Sequence, residues 1–388
     1  MAKVTNFEHN GVSLNAAESP EAMGGIGDNV ICIVGTAPKA ALTVPKNSPF
    51  RISGMLEAEL LDPTGAESGT LYQVVKQILK VVKVPIYVVV VEAGATPAAT
   101  LANVIGGVDV TSGQRKGLAA ITVCQEVPTI IGAPGFSHEQ SVHSELASIG
   151  KRLRARPVLD GKDVTVAAQV TNSGTIGGAD LGYDRCYLVH QMPAVYSKAA
   201  QANVFLPPSS LAIAALASVK QWESPGNQVT YAADVARTVE YNILDKSTEG
   251  DLLNSYGISY YARTDLGGFS LIGNRSITGK FISYVGLEDA IARKLVGSAQ
   301  KAMAKNLTKS FMDQEVERVN SWLQTLVADG TIPGGKVYLH PELNSVEKYK
   351  NGTWYLCIDY GRYAPNEHMV YQLNASDAIV EEFLEDVL

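Results

Sequence analysis

The sequence predicts an α/β layered domain followed by an α+β domain, preceded by an N-terminal arm and closed by an apolar helical stripe. Three observations carry this. Continuous apolar runs alternate with helically spaced stretches from residue 30 onward. Past residue 250 the pattern changes to paired strands, two long helices and paired strands again. Both ends carry short apolar patterns with no neighbouring core to join.

The first 22 residues are polar, with a brief alternation around Val12 and Leu14, and they end in the Pro- and Gly-rich joint "SPEAMGGIGDN". This is expected to be an arm. "VICIVGTAP" (30–38) opens the layered domain. "VPIYVVVVEAG" (84–94) and "VPTIIGAPGFS" (127–137) are unbroken apolar runs, the kind found in strands covered on both faces. "DRCYLVHQMP" (184–193) is a further strand candidate. Helical spacing marks 69–82 and 137–155, and the Ala-rich "SSLAIAALASVKQW" (209–222) closes the domain. Next come "GISYYARTD" and "GFSLIGNRSI" as strands joined at Asp265–Gly268, then helices at roughly 285–307 and 310–328. The second helix has Val316, Val319, Leu323, Leu326 and Val327 on one face and stops at Gly330. "GKVYLHPEL" and "GTWYLCIDYGRY" form a final strand pair. In "NASDAIVEEFLEDVL" the apolar set Ile379, Val380, Phe383, Leu384, Val387 and Leu388 has helical spacing, with Asn374 or Ser376 as N-cap.

At 388 residues the chain has ample length for two domains. A net charge of −7 excludes an overall basic field for nucleic acid. Charged residues are only 18%, which hints that partners cover part of the surface. Cys32, Cys124, Cys186 and Cys357 are far apart in sequence and form no C-x-x-C pair; Cys32, Cys124 and Cys357 sit in apolar runs, where reduced thiols acting as small hydrophobes are expected. No apolar stretch approaches membrane-spanning length and the N-terminus has no signal-peptide core, which points to a reducing cytoplasm before assembly.

Candidate chemistry is thin. Ser137, in Gly135-Phe136-Ser137-His138-Glu139, sits in the nearest approach to a nucleophile elbow, and with a histidine it would suggest an α/β hydrolase-like enzyme. The glycine that a strained elbow needs after the nucleophile is replaced by Glu139. Ser137 as N-cap of the next helix, with Gln140 completing a capping box, is the plainer expectation. His138 and His143 are five apart, which is wrong for two metal ligands on one helical face. "GGIGDN" precedes a strand, where a dinucleotide-binding loop would follow one. No catalytic, cofactor-binding or metal constellation is expected. On a continuous helix Lys301 and Lys305 would lie within about 20° of Lys294, with Lys309 about 60° away, beside an apolar face of Ile291, Leu295, Ala302 and Met303.

The segments "SVKQWESPGNQV" (218–229) and "LNSYGISYYARTDLGGFSLIGNRSIT" (253–278), followed by the stretch from "KVYLHPEL" to "HMVYQL", resemble contractile tail sheath proteins. The likeness is to the compact type of P2-like and Mu-like bacteriophages and R-type pyocins, and the opening "NGVSLNAAE…NVICIVGTAP" shares it. The family's Trp-Gly-x-Arg-Thr is replaced by Ile272-Gly273-Asn274-Arg275-Ser276, which keeps an apolar residue and a hydroxyl. The resemblance implies that Gly273 and Arg275 make a structural turn, with Arg275 anchoring carbonyls or a carboxylate. It also implies four segments: an N-terminal arm (1–22), an outer α/β domain (23–250), an inner tube-facing α+β domain (251–373) and a C-terminal arm (374–388). Implied partners are further copies in stacked six-fold rings, a tail tube, a baseplate and a terminator, with neither nucleic acid nor direct membrane insertion. The arms would reach through Val12, Leu14, Ile379, Val380, Phe383 and Leu384, and Lys294, Lys301 and Lys305 are candidates for facing the tube. The implied location is a virion tail. Helical spacing at 376–388 stands against a strand-forming arm, and pairing at "MVYQL", at "IVEEFL" or at both stays open.

Overall fold

The structure is a computed structural model that describes residues 22–387. The first stretch contains β1 (Ile31–Thr36), β2 (Phe50–Ile52), α1 (Met55–Glu59), α2 (Leu71–Val81), β3 (Ile86–Val91) and α3 (Pro97–Ile105). A small hairpin, β4 (Gly107–Val108) and β5 (Arg115–Lys116), leads through a 3-10 turn (Gly117–Val123) to β6 (Ile130–Gly132). Then come α4 (Gln140–Leu153), β7 (Arg156–Asp160), α5 (Val166–Ser173), β8 (Tyr187–Val189), β9 (Pro193–Ser197), β10 (Ala202–Phe205) and α6 (Ser209–Ser218). β11 (Gln228–Val229), β12 (Asp234–Val235), α7 (Glu249–Ser255), β13 (Ile258–Thr264), β14 (Gly268–Ile272) and α8 (Ile282–Ala299) follow. The chain ends with α9 (Lys309–Ala328), β15 (Gly335–Leu339), α10 (Val346–Lys350), β16 (Leu356–Tyr360) and α11 (Asp377–Val387).

Among the described residues the main sheet has nine strands in the order β11-β14-β13-β8-β7-β6-β1-β3-β2. The run from β13 to β3 is parallel, and β2, β14 and β11 pair antiparallel at its margins. The apolar runs are explained by burial on both faces. In β1, Ile31 and Ile33 face a core built with α2 and α6, whereas Cys32 and Val34 face a second core with α4 and the 3-10 turn. α6 is buried from Ser209 to Ala217, so its Ala-rich sequence reflects packing on all sides.

The sheet changes the domain reading. The strands at 258–272 do not open a new domain: β13 pairs parallel with β8 through Ile258↔Leu188 and Ser259↔Val189. One compact unit is formed by Asp28–Ala292 with Ala364–Leu388, and the other contains Arg293–Tyr363, so the division falls inside α8 rather than at 250/251. The reason is that β13 and β14 carry buried side chains such as Tyr260, Tyr261 and Leu271, which complete the first unit's two cores. In the second unit, α9 buries Val319, Trp322, Leu323 and Leu326 and carries the β15–β16 ribbon.

His190, just past β8, gives the first unit a pH dependence. It is buried, and desolvation, with Arg237 nearby, pushes its imidazole down from 6.5 to about 4. The neutral form therefore belongs to the fold, and the unfolded chain binds the proton first. Stability should be intact above about pH 6.5, fall as pH drops towards 4, and be about 2 kcal/mol lower at pH 5. Urea melts at pH 7.5 and pH 5 check this, and His190→Gln should flatten most of the difference.

Candidate assembly surfaces

β14 ends at Ile272, and the next residue, Gly273, has φ +143°. A Cβ there would lie 2.2 Å from the Ser259 hydroxyl oxygen, so only glycine fits. Its carbonyl accepts a 2.8 Å hydrogen bond from the buried Tyr187 hydroxyl. The chain then folds back so that Arg275 bridges to Phe281, with the guanidinium 4.0 Å from that ring's centre. Arg275 Nη1 donates to the Gly279 carbonyl at 2.7 Å, while Nε and Nη2 meet the two Glu367 carboxylate oxygens at 3.0 and 2.6 Å. The fork is bidentate and carries its own geometric specificity. It fastens the start of the C-terminal extension to the turn.

Beyond Glu367 the extension has no helix or strand until α11, and Met369, Val370, Tyr371 and Leu373 are exposed. α11 is a helix, as its spacing predicts, and "MVYQL" has no partner strand among the described residues. Its apolar residues Ile379, Val380, Phe383, Leu384 and Val387 are 47% to 66% exposed. The acidic Asp377, Glu381, Glu382, Glu385 and Asp386 share the helix. Such an apolar stripe on a charged helix is suited to burial against a partner. Val12 and Leu14 lie outside the described residues.

In the other unit β15 and β16 pair only with each other among the described residues, from Gly335↔Tyr360 to Leu339↔Leu356. Each strand therefore keeps an outer edge on which another chain can add a strand. Lys336 and Asp359 pair across the ribbon at 3.4 Å.

The lysine stripe does not form on one helix. α8 ends at Ala299, residues 300–304 are turns, and Ala304 has φ +66°. A left-handed residue breaks the 100° progression, so of the three only Lys294 is helical. Lys301 and Lys305 lie on the connection to α9.

Ser137 is not an N-cap either. Glu139 occupies that position and α4 starts at Gln140. The buried Ser137 hydroxyl donates to Asp160 Oδ2 at 2.7 Å and accepts from the Asp160 amide at 2.8 Å. The same carboxylate accepts the Gly135 and Ser209 amides, each at 2.8 Å. Asp160 thus ties the end of β7 to the β6–α4 loop and the start of α6. Among the described residues no histidine is hydrogen-bonded to Ser137. His143 Nδ1 is 2.8 Å from the Tyr183 hydroxyl, and His138 pairs with Glu139 at 3.3 Å. The hydroxyl is held by the Asp160 carboxylate rather than by a histidine, so the Ser–His pair of the hydrolase alternative is not formed and that alternative is not favoured.

The similarity to known proteins extends over most of the chain. No family model matches it. It is 26% identical over 368 residues to a prophage major tail sheath protein of Pseudomonas aeruginosa (strain UCBPP-PA14), covering 92% of each chain. It is 23% identical over 410 residues to the tail sheath protein of Escherichia phage P2, covering 99% of each. Among solved structures, the contracted sheath of the extracellular contractile injection system PVC matches with TM-score 0.71 and 13% identity, covering 97% of this chain and 100% of that one. The contracted helical sheath of the anti-feeding prophage matches with TM-score 0.67 and 16% identity, covering 97% and 100%. The chain is a homologue of contractile tail sheath proteins.

The geometry above offers an exposed apolar helix and two open strand edges, held in place by buried polar contacts. Glu367, Asp160 and Tyr187 carry much of it and were not singled out from sequence. Glu367 lies 92 positions from Arg275, and Asp160 lies 23 from Ser137, so no local pattern links them.

Proposed function

We propose that the chain is the repeating subunit of a contractile tail sheath, stacking as six-fold rings around a tail tube and contracting to drive that tube through a cell envelope. The carrying observation is the sheath homology over nearly the full length, joined to an apolar C-terminal helix left uncovered on an extended strap. The strap would link each subunit to the next while the units move as near-rigid bodies, and the open edges of β15 and β16 would accept strands from neighbouring arms. Contacts that repeat without closing along the axis build a filament. The role is mechanical, with no catalytic step. A baseplate and a terminator would bound the stack. Baseplate association is supported by the match to a chain of the anti-feeding prophage baseplate, TM-score 0.67. The assembled location would be the tail of a virion or of a related injection particle.

Negative-stain electron microscopy with light scattering tests this reading. Ribbed tubes or stacked rings are expected, either from the protein alone or after the tube protein is added. A monomer that ignores the tube would overturn it.

Lys294, Lys301 and Lys305 remain the proposed tube-facing cations, the first on α8 and the other two on the connection to α9 rather than on one helical stripe. Reversing all three to Glu should reduce the fraction of tubes that become sheathed, and raising salt should weaken wild-type sheathing in the same direction. Sheathing unchanged by both would move the tube contact elsewhere.

A further inference from the structure

The four cysteines are not equivalent. Cys32 is fully buried in β1, between Tyr87 of β3 and Ile131 of β6 in the sheet register. Cys124 is half-buried at the C-terminal end of the 3-10 turn Gly117–Val123. They are 92 positions apart in sequence, yet their sulfurs lie 3.6 Å from each other. A disulfide needs about 2.05 Å between sulfurs, a difference that side-chain rotation and a small shift of the turn can supply. Cys186 is buried with its sulfur 3.8 Å from the Gly182 carbonyl, and Cys357 lies half-buried on β16. Among the described residues neither has a second thiol beside it.

We propose that Cys32 and Cys124 are an oxidisable pair that closes to a disulfide when the protein meets a low-molecular-weight disulfide, stapling the 3-10 turn to the centre of the sheet. The two sulfurs have distinct parts. Cys124 is the one a reagent reaches. Contact with the Cys124 sulfur, together with burial, pushes the Cys32 thiol up, so Cys32 does not start the exchange. The Cys124 thiolate attacks the reagent's S–S bond, forming a mixed disulfide and releasing one thiolate. Cys32 then loses its proton and attacks Cys124 Sγ, expelling the second thiolate. Two protein thiols and one small disulfide thereby become one protein disulfide and two small thiols. The inference does not rest on the sheath reading. If that reading holds, the staple would form when a particle leaves a reducing cell.

The test uses the full-length protein incubated natively with oxidised glutathione, then denatured, alkylated and digested for mass spectrometry. The expected product is a Cys32–Cys124 cross-linked peptide pair lighter by two hydrogens, with no glutathione on either. Cys357 should instead retain a glutathione adduct or stay alkylatable. Closing a loop of this length should raise Tm by about 5 °C. In Cys124→Ala the Cys32 thiol should stay reduced and the Tm rise should vanish. A glutathione adduct persisting on Cys124 beside a reduced Cys32, two unreacted thiols, or a disulfide that lowers Tm would each overturn the proposal.

Discussion

A triple variant Ile379→Glu, Phe383→Glu, Leu384→Glu is expected to remain folded and fail to polymerise. The three side chains are exposed on α11 in the single chain, so their replacement costs its fold little, within about 0.5 kcal/mol per site. In an assembly they would be covered. Burying half or more of each side chain contributes about 1 kcal/mol or more, and placing carboxylates there adds desolvation. A total loss of about 4 kcal/mol per subunit raises the critical concentration for polymer about a thousandfold. The acidic neighbours Glu381, Glu382 and Glu385 add like-charge repulsion to the same helix. Circular dichroism and urea melts should match wild type while electron microscopy shows no tubes. Tubes of normal length from this variant would remove α11 from the interface.

The second large effect is on stability. Asp289 of α8 is 1% exposed and Arg185 is 8% exposed. Arg185 Nε and Nη2 each lie 3.1 Å from the Asp289 carboxylate, and Arg154 Nη1 reaches it at 3.5 Å. Asp289→Ala would leave the buried Arg185 guanidinium with Asp184, at 2.8 Å, and the half-exposed Glu288, at 4.0 Å, as its remaining carboxylates. Removing one member of such a pair typically costs about 3–5 kcal/mol, because the other charge stays desolvated. Asp289→Asn keeps a hydrogen-bond acceptor and should fall between the two. Urea midpoints at pH 7 measure the series. A loss below about 1 kcal/mol for the alanine variant would mean that water reaches Arg185 once the carboxylate is gone.

Where local pattern decides, the sequence was legible. "PIYVVVV" and "PTIIG" read as strands covered on both faces, and β3 and β6 are that. The 3.6-residue spacing of Val74, Val75 and Ile78 places α2, and that of Ile379, Phe383 and Leu384 places α11. The long helix expected to run to residue 307 stops at Ala299 instead, because Gly297, Ser298 and the left-handed Ala304 do not sustain it. That early stop also removed the lysine stripe, which depended on an unbroken helical phase.

By itself, the sequence determined the class of the strongly patterned elements, the mixed α/β character and, through ordered motifs, the likeness to sheath proteins. Only the tertiary structure decided that β13 and β14 extend the first sheet, that Ser137 serves Asp160, and that Arg275 holds Glu367. The physical reason is range. Periodicity records which face of an element is buried, and that is written within a few neighbouring residues. Strand partners and buried ion pairs are selected by surfaces that meet only after the chain has closed loops of tens of residues, and no local spacing encodes which surfaces those are.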